Sequence, residues 1–267
     1  MVEPTPKDLI PMLIMLCRST GNRINEIYNG KFEIETKSDM TPVTCADLAA
    51  HCAITAGLQM ITPEIPILSE EEAEIPFAER QKWQRYWLID PVDGTREFIN
   101  RTGEFTINIA LIDNNEPILG VVYAPVIGVC FYGSRGDGSY KLIAGQEPLK
   151  LQVRNCTKDE VVVAKGRCGT PPSFKDYVEQ LKPSNIIDIG SSLKPCIIAE
   201  GCADIYPRFG PTSEWDTAAA QCILEEAGGL ITDFDMQPLR YNTKESLLNP
   251  DFFAFGDKSQ DWKDYLR

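Results

Sequence analysis

The chain has 267 residues and a mass of 29.8 kDa, enough to bury a substantial core without a disulfide or a structural metal. Its 26 Lys and Arg face 39 Asp and Glu, a formal net charge of −13, which argues against a protein that coats nucleic-acid duplexes. A single histidine, His51, excludes a multi-histidine zinc site, and nine cysteines without a C-x-x-C pair suit neither a zinc knuckle nor a disulfide scaffold; most of them read as small buried hydrophobes.

Ile10, Leu13, Ile14, Cys17, Ile24 and Ile27 recur at helical spacing and predict an amphipathic first helix over about 7–28, stopped by Gly30. The apolar run inside it, 9–17, is too short to span a membrane. Glu3 and Asp8 spoil a basic leader, so no targeting segment is expected. A polar stretch over 31–44 carries a turn at Thr41-Pro42. A second, alanine-rich helix is predicted from Thr44 or Cys45 towards Met60, with His51 as a surface or packing residue. Strands are predicted at 65–68, 86–89, 105–112, 118–123 and 128–132, the last three as a meander. Gly133-Ser-Arg-Gly136-Asp-Gly138 matches no phosphate-binding glycine pattern and reads as a hairpin turn.

A second lobe is expected to begin near Gln152, dividing the chain into 1–150 and 151–267. In it, strands are predicted at 161–164, 186–189 and 203–206, and helices at 174–181, 193–200 and 215–227. Strands and helices alternate without a strict βαβ period, which points to a mixed, layered α/β or α+β architecture.

The chemistry concentrates in acidic segments. The run 86–89 reads as a strand that places Asp90 at its C-terminal end, where Pro91 stops the ladder. Asp93 follows in a tight turn, so two carboxylates can converge, and Gly94 permits close backbone approach. Two unit charges ~4 Å apart repel by about 4 kcal/mol at an effective dielectric of 20. A chain that gathers several carboxylates must therefore protonate some or bind cations, and oxygen ligands without His or Cys suit Mg²⁺ or Mn²⁺. Taken singly, Asp90 and Asp93 could cap a turn, Glu70–Glu72 could be a solvated loop, and Asp216 could be the first-turn acid of a helix.

Taken together, Asp90-Pro91-Val92-Asp93-Gly94-Thr95, Glu70 upstream and Trp215-Asp216-Thr217-Ala218-Ala219 resemble the inositol monophosphatase superfamily of Mg²⁺-dependent, lithium-sensitive phosphomonoesterases. Longer strings, including Gly103-Glu-Phe-Thr, Gly120-Val-Val-Tyr-Ala-Pro125, Gly190-Ser191-Ser-Leu-Lys194 and Tyr206-Pro-Arg208-Phe-Gly-Pro-Thr212, are similar to its CysQ-type 3′(2′),5′-bisphosphate nucleotidases. The resemblance implies a layered α-β-α-β-α sandwich and removal of the 3′-phosphate from adenosine 3′,5′-bisphosphate, or from its sulfated relative, recycling a by-product of sulfur assimilation. It implies two or three Mg²⁺ held by Glu70, Asp90, the Val92 carbonyl, Asp93 and Asp216. Asp47 with the Thr95 hydroxyl would orient and deprotonate water, and the Gly94 and Thr95 N–H groups would hold the phosphate. Ser191, Lys194 and Arg208 would contact substrate.

It also implies a small phosphorylated nucleotide as partner rather than a nucleic-acid polymer. The implied location is cytoplasmic, with peripheral association at the inner membrane face left open, as is the oligomeric state. Two departures stand out: Ala220 replaces a frequent glycine, and Lys165-Gly-Arg167-Cys168 replaces a Ser-Arg-Ser-His segment. An inositol monophosphatase remains the alternative, although that group presents a Glu where Arg208 stands, and a fork suited to a second phosphate replaces an acceptor for sugar hydroxyls. A non-catalytic binding protein on the same fold is the third reading, and the intact acidic set argues against it.

Overall fold

The computed structural model describes residues 4–30, 34–36, 42–157, 160–167 and 169–266. Thr41 and Cys168, which the sequence reading singled out, lie outside them. In chain order the elements are α1 (Pro6–Asn29), β1 (Ile34–Thr36), β2 (Pro42–Thr44), α2 (Cys45–Ile61), β3 (Ile67–Ser69), α3 (Phe77–Arg80), β4 (Arg85–Asp93), α4 (Thr95–Ile99), β5 (Thr106–Asp113), β6 (Glu116–Ala124), β7 (Val129–Ser134), β8 (Gly138–Ile143), β9 (Leu149–Lys150), β10 (Val162–Lys165), α5 (Pro172–Leu181), β11 (Asn185–Asp188), α6 (Leu193–Ala199), β12 (Ile205–Arg208), α7 (Glu214–Glu226), β13 (Leu230–Asp233) and β14 (Phe252–Phe255).

Among the described residues, β3 to β9 form a seven-stranded sheet in sequence order, antiparallel except for the β3/β4 pair. A five-stranded mixed sheet runs β11-β10-β12-β14-β13. The periodicity of α1 has its cause in packing: Leu13, Cys17 and Ile24 are wholly buried with Ile54 and Leu58 of α2 against Ile107, Ile109 and Val121 of the large sheet. The opposite face of that sheet meets α6 and α7, whose other side meets the small sheet. Phe174, Tyr177 and Leu181 of α5 close the outer face of the small sheet with Phe253, Phe255 and Trp262. The resulting order of layers is helix, sheet, helix, sheet, helix, the sandwich expected from the resemblance.

Helix α7 is sandwiched between both sheets and is lined with Ala218, Ala219 and Ala220, each at most 1% exposed. Gly120 on β6 makes this possible: a Cβ there would come within 2.1 Å of the Ala219 carbonyl oxygen. Small residues on both sides let helix and strand backbones touch.

Several expectations need correction. Pro91 does not end its strand, because β4 continues to Asp93 through a bulge. The hairpin turn at 133–138 is present, but the strands β8 and β9 that follow it, and β13 and β14, carry no signal that the sequence reading recognised. Of the eight described cysteines, all free thiols, five are buried, in keeping with the expectation for most of them, and Cys45, Cys52 and Cys202 are exposed. His51 takes the packing role of the two expected for it: it is buried, with Nδ1 2.9 Å from the Ser69 hydroxyl. Among the described residues, no helix is long and apolar enough to cross a membrane.

Candidate active site

The site starts from the register of β3, β4 and β5. Parallel pairing sets Ser69 opposite Ile89, so Glu70 and Asp90 leave the paired stretch side by side. On the other side of β4, Asp90 pairs with Asn108 and Asp93 with Thr106: three steps along β4 against two along β5. In a regular strand, residues three apart point to opposite faces. The extra residue resets the phase and lets both carboxylates face one point, as bulges commonly do beside active sites. Pro91 is compatible with the bulge because it has no N–H to offer the ladder. Gly94 then adopts φ +92°, a left-handed conformation that starts α4 at Thr95.

The third carboxylate comes from the other end of the chain. Asp216 is the third residue of α7 and closes a capping box in which its Oδ2 accepts the Ser213 N–H at 2.9 Å. Oxygen atoms of Asp90, Asp93 and Asp216 lie within 4.8 Å of one another. Burial first, and then the charges of Glu70, Asp93 and Asp216, push the Asp90 carboxyl well above the ordinary range. Asp216 is pushed up to about 8 by burial and by the charges of Asp93 and Glu70, against the opposing Ser213 N–H.

One oxygen of each acid is already held: Asp90 Oδ1 by the Val92 N–H at 3.1 Å, Asp216 Oδ2 by its cap, and Asp93 Oδ2 by hydroxyl and amide donors of the distant Ser191 and Ser192. Among the described residues no Lys or Arg forms an ion pair with Asp90, Asp93 or Asp216, and crowded carboxylates that offer only oxygen fit a hard divalent cation.

The protonation of this cluster predicts a pH dependence. Asp216 has an ordinary value of 3.8 and a folded value of about 8, so the proton it holds stabilises the metal-free fold at low pH. That stabilisation is lost as pH rises through about 8. Buried Glu214, raised to about 7, acts with the same sign. In EDTA the thermal midpoint should fall between about pH 5 and pH 8. Asp216→Asn should make the slope shallower, and Mg²⁺ should restore stability at the alkaline end. An unchanged slope in the variant would remove Asp216 as its source.

Two adjoining hollows contain most of the residues singled out from sequence. Glu70, Asp90, Val92, Asp93, Gly94 and Thr95 line a cleft of about 700 Å³, shared with Asp216 and Arg208. A cavity of about 190 Å³ continues from Asp93 and Asp216 past Ser191 and Lys194 to Tyr206 and Arg208. Asp47 lines neither. It is buried in the first turn of α2, where its Oδ2 accepts the Thr44 N–H at 2.8 Å and the Thr44 hydroxyl at 2.7 Å. Strand β2, which leads into α2, packs against α4, so the chain brings the Asp47 end of α2 beside the Thr95 helix.

The cations differ in their commitments. The Lys194 ammonium donates to the Ser191 carbonyl and lies 5.2 Å from the Tyr206 ring centroid. Arg208 donates from Nε to Thr212 Oγ1 at 2.7 Å and from Nη2 to the Pro211 carbonyl at 2.9 Å. Arg167 makes a bidentate pair with Glu104 at 2.5 and 2.6 Å. Arg96 lines both hollows and, among the described residues, its guanidinium has no partner. Sequence reasoning passed over Arg96, Asn108 and Ser192. Ser192 lay in the string 190–194 it quoted, but a hydroxyl carries no signature of what it will bond.

Residues 6–260 match the model of the inositol monophosphatase family. The 3′(2′),5′-bisphosphate nucleotidase CysQ of Escherichia coli O6:H1 is 46% identical over 246 residues, covering 91% of this chain and 98% of the relative. Its counterpart from Haemophilus influenzae is 38% identical over 258 residues, covering 96% and 95%. Among solved structures, CysQ from Bacteroides thetaiotaomicron, described as a bacterial member of the inositol monophosphatase family, superimposes with a TM-score of 0.79 at 37% identity, covering 92% of this chain and 96% of that one. With a family match over nearly its full length and an acidic cluster assembled from both ends of the sequence, the chain belongs to the inositol monophosphatase family.

Proposed function

We propose that this protein is a Mg²⁺-dependent 3′(2′),5′-bisphosphate nucleotidase that removes the 3′-phosphate of adenosine 3′,5′-bisphosphate, or of its sulfated relative, to leave the 5′-phosphorylated nucleotide. The observation that carries the reading is the adjacency of the carboxylate cluster to a cavity lined by Arg96, Arg167, Lys194 and Arg208 in a chain of net charge −13. One phosphate would sit against the acidic side through its cations, and the second against the arginine side.

Glu70, Asp90, the Val92 carbonyl, Asp93 and Asp216 are the proposed metal ligands. Two or three bound Mg²⁺ would neutralise the scissile phosphate and lower the proton affinity of the attacking water. Thr95 orients that water, with Asp47 behind it as the proton acceptor, and the Gly94 and Thr95 N–H groups hold a phosphate oxygen. Residues 1–150 form the lobe with most of the ligands, and 151–267 the lobe that adds Asp216, Ser191 and the cations. The proposed location is cytoplasmic.

Phosphate release from adenosine 3′,5′-bisphosphate and from an inositol monophosphate, each with and without Mg²⁺, is the direct test. Mg²⁺-dependent release confined to the nucleotide is expected. Preference for the inositol substrate would favour the alternative enzyme, and release from neither would favour a binding protein.

The second phosphate has its own test. A charge-assisted hydrogen bond contributes about 1.5–3 kcal/mol, so Arg208→Ala should lower kcat/KM for the bisphosphate by roughly 10–150-fold and leave adenosine 3′-monophosphate nearly untouched. Arg208 already holds Thr212 and Pro211, so an equal fall for both substrates would make it a support of the 209–212 segment. Arg96, which has no partner among the described residues, would then become the cation for the second phosphate.

A further inference from the structure

Asp93 belongs to the bulged end of β4, yet the donors that hold it come from the turn before α6. Its Oδ2 accepts the Ser191 hydroxyl at 2.6 Å, the Ser192 N–H at 2.6 Å and the Ser192 hydroxyl at 2.7 Å, with Asn108 Nδ2 at 3.5 Å. That oxygen is saturated, which leaves Oδ1 as the ligand atom. Ser191 takes φ +56°, a conformation that a non-glycine residue adopts only when its surroundings enforce it. The enforcing contacts are the Lys194 ammonium on its carbonyl and the Thr106 hydroxyl 2.5 Å from its own.

The hydroxyl network is also short of protons. Thr106, Ser191 and Ser192 have one hydroxyl proton each. Five contacts draw on those three: Thr106 to Asn108 Oδ1 and to Ser191, Ser191 to Asp93, and Ser192 both to Asp93 and to the Asp216 carbonyl at 2.6 Å. Asn108 Nδ2 donates to Ser192 at 2.8 Å, so the Ser192 hydroxyl must choose between a metal-ligand carboxylate and the backbone of the residue carrying another. The four polar side chains are each at least nine-tenths buried, so water does not readily make up the deficit.

We infer that Ser192, with Ser191, is a positioning element that fixes Asp93 as a one-oxygen cation ligand and couples cation binding to occupancy of the neighbouring cavity. The coupling is physical: the turn that clamps Asp93 also lines the cavity with Lys194 and Tyr206. A nucleotide that draws on the turn changes how Asp93 is presented, and a cation on Asp93 changes which acceptor the Ser192 proton prefers. By linkage, each ligand must then alter the affinity of the other. The inference rests on the metal reading proposed above.

Mn²⁺ serves as the probe, titrated by calorimetry into wild type, Ser192→Ala and Asp93→Asn, each alone and with saturating adenosine 5′-monophosphate. Loss of a residue that orients a metal ligand typically costs about 10–100-fold in metal affinity, and that weakening is expected for Ser192→Ala without nucleotide. The nucleotide should tighten Mn²⁺ binding to wild type by about 5-fold or more, within the range of ordinary coupling, and Ser192→Ala should lose most of that gain. Circular dichroism and the melting midpoint in EDTA check the fold. If Ser192→Ala disturbs it, Ser192→Cys, which keeps the shape but offers only a weak S–H donor, is read instead, with the same two losses expected. Wild-type Mn²⁺ affinity together with an unchanged nucleotide effect in Ser192→Ala overturns this inference alone. Failure of wild type to bind Mn²⁺, or equal binding by Asp93→Asn, removes the metal reading with it.

Discussion

Replacing Asp93 by asparagine should lower Mg²⁺-dependent phosphate release by about 10²–10³-fold, the kinetic equivalent of the several kcal/mol a metal ion supplies to the developing charge. The amide fits the space but fails in either orientation. With its oxygen towards Ser191 and Ser192 it keeps their donors and presents NH₂ to the cation. With NH₂ turned inwards it faces the Ser192 N–H, donor against donor. The fold should survive, and stability in EDTA should hold or rise, because Asp90 and Asp216 lose a repelling neighbour. Turnover equal to wild type across a Mg²⁺ titration would reject the assignment.

The proton acceptor should show almost as large an effect. A positioned general base is worth about 10²–10⁴-fold, so Asp47→Ala should lower kcat by at least about 10²-fold with little change in KM. Alanine also removes the N3 half of the capping box of α2, because Asp47 Oδ2 accepts both donors of Thr44. Asp47→Asn separates the two roles, since its carbonyl oxygen can still cap α2 while the amide cannot take a proton. Asparagine and alanine variants that lose kcat alike support the base. Recovery of kcat in the asparagine variant, or a loss confined to KM, would leave Asp47 a cap.

How much of this was legible in the sequence depends on where each signal is local. Helix α1 announced itself because one apolar face repeats over 24 residues, and α7 because an acid-rich first turn precedes a run of alanines and a Gly-Gly stop. The strand through Pro91 was cut short because a bulge depends on pairing with β5, which no single segment encodes. Strand β14 was missed because Phe252, Phe253, Ala254 and Phe255 are all buried, so the run lacks the alternation that marks a half-buried strand. The acids could be picked out because several carboxylates in one chain demand an electrostatic answer. The hydroxyls that aim them could not, because Ser191 and Ser192 gain their partners only when two distant segments meet.

The contact between Gly120 and Ala219 sets the tolerance of the site from behind. Ala219 is one turn or less from Asp216, and the two backbones touch where an added methyl would stand 2.1 Å from a carbonyl oxygen. The helix therefore has a mechanical stop: it cannot advance towards the sheet, and packing on its far side keeps it from retreating. In an instrument this would be a datum surface, the face from which every other dimension is measured. The reach of Asp216 towards Asp90 and Asp93 is gauged from a strand residue with no side chain at all.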